Sequence, residues 1–237
     1  MTARTCVEVA TVWTSPDAPR DIDAPATAAV PDLHSWLSVQ SAEVRRGLHG
    51  RTLTQLLEGE PVDVLEEDLA GWARICAPWQ PNPADDGGYV GWVRRSHVEL
   101  AGGEAPSSPV GPVPPDRIAV VDAARQFVGV RYLWGGLSPY GLDCSGLVHY
   151  AYRQAGLVVP RDAHAQAAVV TAVQLGEEQP GDLYFFARAD GRVFHVGFVT
   201  APGRMLHAPE TGELIEDAPV ADDRRATLVA AGRFLSD

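Results

Sequence analysis

Cys144, His195 and His207 are the residues of this chain whose types and order suit nucleophilic acyl chemistry. Cys144 opens a stretch in which Leu147, Val148, Ala151 and Tyr152 recur at helical spacing, so its thiol is expected at the first turn of a helix. Unsatisfied backbone N–H groups and the helix dipole favour an anion there, which predicts a thiol that ionises readily. The thiolate is the attacking form, and the same N–H groups are placed to hold a developing oxyanion. Taken alone, Cys144 also fits a buried structural cysteine.

His195 lies in the apolar run Val193 to Val199. Strand alternation sends Phe194, Val196 and Phe198 to one face and His195, Gly197 and Val199 to the other. An imidazole facing the start of a helix can serve the thiol as general base, and Gly197 beside it is expected to leave room for a substrate. His207, on the next predicted strand, is placed to bond the other ring nitrogen of His195 and fix its tautomer. Each histidine alone also fits a satisfied structural residue. The ordered set of a helix-start cysteine and two strand histidines is what points to catalysis.

The elements that must hold these residues follow an α+β pattern. Asp116 is expected to cap a helix running to about Val128, with Ile118, Val121 and Phe127 or Val128 on its apolar face. The cysteine helix should run to Ala155 and stop at Gly156, and Asp162 can cap a third, shorter one. The runs Asp182 to Ala187, Val193 to Thr200 and Arg204 to Ala208 read as adjacent antiparallel strands.

Proline, glycine and serine displace large apolar residues between Ala101 and Pro115. This divides the chain into a first domain at 1–104, a linker at 105–115 and a second domain at 116–237. The first half carries short β-like runs at Cys6 to Trp13, Pro61 to Leu65, Trp72 to Cys76 and Tyr89 to Val93. Helical pieces are expected from Ser35 to Gly59, giving a small β-barrel with a helical insertion.

The chain has 237 residues, 46% of them hydrophobic, enough for real cores. A formal net charge of -12 argues against nucleic acid or an anionic membrane as partner, since both require a basic face. Met1 to Pro16 shows no basic run followed by a long apolar stretch, so the expected location is the cytoplasm. Cys6 and Cys76 read as small core residues, and His34, His49, His97, His149 and His164 show no metal-like clustering. Core packing accounts for most of the six tryptophans. No phosphate loop or dinucleotide fingerprint occurs, and no cofactor is implied.

The second half resembles the NlpC-type peptidase family, which has a papain-like α+β fold. The motifs that carry the resemblance are Tyr132-Leu-Trp-Gly-Gly, Asp143-Cys-Ser-Gly, Pro160-Arg-Asp, Pro180-Gly-Asp-Leu-Tyr-Phe-Phe, His195-Val-Gly-Phe-Val and Met205-Leu-His-Ala. The resemblance implies Cys144 as nucleophile, His195 as base, His207 as the orienting third residue and Tyr132 as an aid near the oxyanion. Glu58-Gly-Glu-Pro-Val, Gly71-Trp-Ala and Gly88-Tyr-Val-Gly-Trp-Val make the first half similar to a bacterial SH3-like domain.

That pairing is similar to γ-D-glutamyl-L-diamino-acid endopeptidases acting on muropeptides, in which acidic groups bind the free amine of a leading L-alanine. Carried over by motif, Asp143, Ser145 and Asp162 would line the amine pocket, with Tyr89 and Glu60 from the SH3-like domain. Ala163 departs from the serine that often follows Pro-Arg-Asp, which removes one hydrogen bond from that pocket. Asp143 and Asp162 also fit plain helix caps. The implied reaction is cleavage of the γ-D-glutamyl bond to lysine or diaminopimelate in wall-peptide recycling. Alternatives are an exported wall hydrolase, an amidase or acyltransferase on another acyl group, and a silent peptide-binding module.

Overall fold

A computed structural model gives the fold and describes residues 1–85, 87–101, 109, 111–112 and 114–235. Most of the linker assigned at 105–115 lies outside the described residues. The chain divides into two compact units, one of Met1–Ser107 with Leu133–Leu142 and one of Ser108–Tyr132 with Asp143–Asp237.

The first unit is built on β1 (Thr2–Thr5), β2 (Val9–Trp13), β3 (Thr52–Leu57), β4 (Pro61–Glu67), β5 (Trp72–Ala77), β6 (Tyr89–Arg94) and β7 (Val98–Leu100). They form one sheet in the order β3-β2-β6-β5-β4-β1-β7. β2 is buried along its whole length because both its faces are covered. Ala10 and Val12 join Leu56, Val62, Ile75 and Val93 in the barrel core. Val9 and Trp13 turn the other way and pack with Leu33, Trp36, Leu37 and Leu48 of the insertion. The insertion carries α1 (Ala24–Thr27), α2 (Leu33–Ser38) and α3 (Ala42–Arg46).

The helical reading of Ser35 to Gly59 holds only for its first part. Thr52 to Leu57 pairs along β2, from Val9↔Leu57 to Trp13↔Thr52, and is a strand. Cys6 is exposed rather than core, its thiol reaching the Ser96 carbonyl at 3.4 Å, whereas Cys76 is buried. A small hairpin of two strands, Leu137–Ser138 and Gly141–Leu142, belongs to this unit. It is held where the Leu137 amide donates to Gln55 Oε1 at 2.9 Å and the Trp134 ring stacks on His49 at 4.2 Å.

In the second unit, α4 (Arg117–Arg125) starts at Asp116, whose carboxylate accepts from the Ala119 amide at 2.9 Å. The helix ends before the expected Val128. Its buried residues are Val120, Val121, Ala123 and Ala124, and Ile118 is exposed rather than on the apolar face. α5 (Cys144–Gln154) is buried at nearly every position and stops at Gly156, whose φ of +73° suits glycine. α6 (Ala163–Val169) follows.

With the hairpin strands counted as β8 and β9, the second unit's strands are β10 (Thr171–Val173), β11 (Leu183–Ala187), β12 (Val193–Ala201), β13 (Arg204–His207), β14 (Glu216–Pro219) and β15 (Leu228–Arg233). A four-residue α7 (Asp222–Arg225) precedes β15. The sheet order is β10-β15-β11-β12-β13-β14, and every neighbouring pair is antiparallel, so the three runs expected to be adjacent are adjacent. Tyr152 of α5 packs on Phe198 of β12 with ring centroids 6.0 Å apart, which seats the helix on the sheet. Buried Asp182 ties the unit together, pairing with Arg117 of α4 at 3.2 Å and Arg233 of β15 at 2.8 Å.

Candidate active site

Cys144 is the first residue of α5, and Asp143 is its N-cap, accepting from the Gly146 amide at 2.7 Å. The Asp143 carboxylate is also clasped by Arg161, with Nη1 on Oδ1 at 2.9 Å and Nη2 on Oδ2 at 2.7 Å. Arg161 has no exposed side-chain surface, so this is a buried two-point ion pair of the kind that fixes geometry. Ser145 Oγ donates to Asp143 Oδ1 at 3.3 Å and receives Arg161 Nη1 at 3.1 Å. Gln166 of α6 donates to the carbonyls of Ser145 at 3.0 Å and Pro160 at 2.9 Å. The helix start is therefore locked from two sides.

The Cys144 thiol receives the backbone N–H groups of Val196 and Ser145, which places it against the strand residue that follows His195. His195 and His207 are both almost fully buried, and their rings meet edge to face with Nε2 of His195 2.9 Å from Nδ1 of His207. Gly197 makes this contact possible. A Cβ at that position would come within 2.9 Å of the His207 Cβ and 3.1 Å of the Met205 sulfur. The space left by Gly197 is thus filled by the second histidine rather than kept for a substrate.

The thiol is not the readily ionised group expected of a helix start. Burial, and then the charge of Asp143, push Cys144 up to about 12, against the lowering effect of the Val196 and Ser145 amides. His207 is lowered to about 3 by burial and then by Arg224, and His195 falls well below 6.5 through burial, Arg224 and His207. At all three groups burial works against the charged form.

Tyr132 is buried and close enough to feel the charge of Cys144. Burial first, then Cys144 and Asp143, push its phenol well above the usual tyrosine range, so it stays a hydrogen-bond donor at any working pH. Asp162 occupies the N-cap position of α6 but makes no side-chain capping bond, which removes the plain-cap reading for it. In the first unit, Glu60 is fully buried, accepting from the Leu57 amide at 3.0 Å and from Gln80 Nε2 at 2.8 Å. Tyr89 is half-buried against the barrel core.

Arg161 lies in the Pro160-Arg-Asp motif, and an arginine flanked by a proline and two residues from a helix start is a natural clasp for a capping carboxylate. Gln166, Glu216 and Arg224 gave no signal in the sequence, because their importance depends on which strands and helices are neighbours.

A cysteine at the first turn of a buried helix, set against an antiparallel sheet that carries two bonded histidines, defines a papain-like thiol hydrolase domain. Residues 129–229 match the NlpC/P60 family and residues 45–98 match the bacterial dipeptidyl-peptidase Sh3 domain, so the chain joins an SH3-like domain to an NlpC/P60 domain. It is 29% identical over 267 residues to a gamma-D-glutamyl-L-lysine dipeptidyl-peptidase of Bacillus subtilis, covering 88% of this chain and 90% of that protein. It is 25% identical over 283 residues to the Bacillus cereus protein of the same name, covering 90% of this chain and 85% of the relative. A crystal structure of an NlpC/P60 family protein from Bacillus cereus matches all of both chains with a TM-score of 0.91 at 24% identity, which shows a shared fold.

Proposed function

We propose that this chain is a cysteine peptidase that hydrolyses the amide between γ-D-glutamate and an L-diamino acid, lysine or diaminopimelate, in cell-wall peptides with a free N-terminal L-alanine. The observation that carries the mechanism is the His195–His207 bond at 2.9 Å, since it engages Nε2 of His195 and leaves Nδ1 as the ring nitrogen outside the histidine pair. Cys144 then adds to the carbonyl of the γ-glutamyl group, forming a tetrahedral oxyanion that collapses to a thioester as the C–N bond breaks. His195 passes its proton to the leaving amine and next activates the water that hydrolyses the thioester. Tyr132, held protonated, is the donor offered to the oxyanion.

The names carried by the Bacillus relatives support this bond specificity. Asp143, Ser145 and Asp162 are the second unit's residues assigned to the substrate ammonium. Tyr89 and Glu60 are the first unit's residues assigned to substrate binding. The role in recycling wall peptides would place the protein in the cytoplasm; among the described residues no helix is long and apolar enough to cross a membrane.

The test is mass-spectrometric digestion of L-Ala-γ-D-Glu-diaminopimelate and its lysine counterpart, each with a free and an acetylated N-terminus. Cleavage of the free peptides only, absent in Cys144→Ala, is the expected result. Cleavage of free and acetylated peptides alike would remove the amine requirement, and cleavage of none would overturn the substrate assignment.

A further inference from the structure

The bond between His195 and His207 has two possible senses, and only one is productive. If His207 donates from Nδ1, then Nε2 of His195 is the acceptor. In neutral His195 the proton then sits on Nδ1, where it blocks uptake of the thiol proton. If His207 instead accepts at Nδ1, His195 donates from Nε2 and its Nδ1 is bare. Nothing within the histidine pair chooses between these arrangements.

The choice is made one strand further out. β13 and β14 pair antiparallel with His207 directly opposite Glu216. Glu216 Oε1 lies 3.4 Å from His207 Nε2, an electrostatic contact slightly longer than an ordinary N–H···O hydrogen bond. A carboxylate is an acceptor only, so this contact favours the His207 proton on Nε2. The neighbouring residue Asp217 does not compete, because its side chain is engaged by Arg204 Nε at 2.7 Å and Thr200 Oγ1 at 2.9 Å.

We infer that Glu216 is a positioning residue that orders a chain of donors, from Glu216 through Nε2–H of His207 and Nε2–H of His195, leaving Nδ1 of His195 bare for the Cys144 proton. The inference rests on the peptidase reading of the Cys144 site. When His195 takes the thiol proton, it becomes an imidazolium whose Nε2–H is held by His207, while Glu216 keeps the His207 proton in place and faces the new charge. No proton has to leave His207 and none has to reach Glu216.

The charged and titratable groups around the pair have opposing signs. Glu216 approaches from β14, and Arg224 of α7 acts on both rings and lies 5.9 Å from the Phe186 ring that flanks His195. Cys144 approaches from α5, with the Asp143–Arg161 pair behind it. Glu216 is 53% exposed, so its electrostatic contribution is screened and its main effect is on which nitrogen carries the proton.

The test uses the full chain, wild type and Glu216→Ala, with Glu216→Gln as the shape-conserving companion. Nitrogen-15 NMR of the histidine rings should show His195 protonated on Nε2 and bare on Nδ1 in wild type, and a mixture of tautomers in Glu216→Ala. Alkylation of Cys144 by iodoacetamide should slow in parallel. On the peptide substrate, kcat should fall by roughly two- to fivefold with KM unchanged. The acid limb of the profile should move down when Glu216 is neutralised and up in Arg224→Met.

Unchanged tautomers and an unchanged alkylation rate in Glu216→Ala would overturn the assignment. The NMR and alkylation measurements need no peptide. A wild-type protein that leaves the γ-D-glutamyl peptide intact but still shows these Glu216 effects would therefore remove the substrate reading and keep this one.

Discussion

Around Cys144 the polar groups are answered inside the protein: Asp143 by Arg161 and the Gly146 amide, Ser145 by Arg161 and Gln166. Around His195 the polar chain runs outward instead, through buried His207 to a Glu216 that is 53% exposed. The first arrangement fixes a position, and a buried ion pair suits that task because it holds one geometry at a high cost for any other. The second holds a protonation pattern, and a graded route to solvent lets charge on the imidazoles be adjusted from the surface. The nucleophile is set by architecture and the base by electrostatics.

Breaking the first region should have the largest effect. Arg161→Leu leaves the Asp143 carboxylate buried without its partner and should cost about 3–5 kcal/mol in urea unfolding, with loss of activity. Asp143→Asn in the same chain removes the stranded charge and should restore much of the stability without restoring activity. A double variant no more stable than Arg161→Leu would show that charge compensation is not what Arg161 supplies.

The second region is sharpened by pH. His207 and His149 are held neutral with values lowered to about 3, mainly by burial, while in the unfolded chain each titrates near 6.5. Below 6.5 the unfolded state binds protons that the folded state refuses, so stability falls as pH drops from 6.5 toward 3. By about pH 5 each such histidine should have cost ~2 kcal/mol, and His149→Phe should relieve one share. The unfolding midpoint, measured at about pH 7 and about pH 5, checks this. A midpoint that does not move would contradict the burial of neutral imidazoles.

Much of this arrangement was legible in the sequence, for identifiable reasons. The helix that starts at Cys144 and stops at Gly156 follows from Asp143, its apolar spacing and a glycine at positive φ. The strand around His195 follows from the dense β-branched and aromatic run Val193 to Thr200. Thr52 to Leu57 misled because the helical reading carried by Trp36, Leu37, Val44 and Leu48 was extended to Gly59, and only pairing with β2 decides the matter. The short strands β1 and β14 carry too few apolar residues to show a period. Glu216 was invisible because its meaning is a cross-strand register, and the thiol's ionisation was misjudged because burial outweighs the helix start.

The most direct test of the account is to trap the covalent intermediate. Wild-type protein mixed with L-Ala-γ-D-Glu-diaminopimelate, quenched in acid and analysed by intact mass and peptide mapping, should carry an L-Ala-D-Glu acyl group on the peptide containing Cys144, absent in Cys144→Ala. Turnover that continues in Cys144→Ala, or an acyl group found on a different residue, would contradict the assignment of Cys144 as nucleophile.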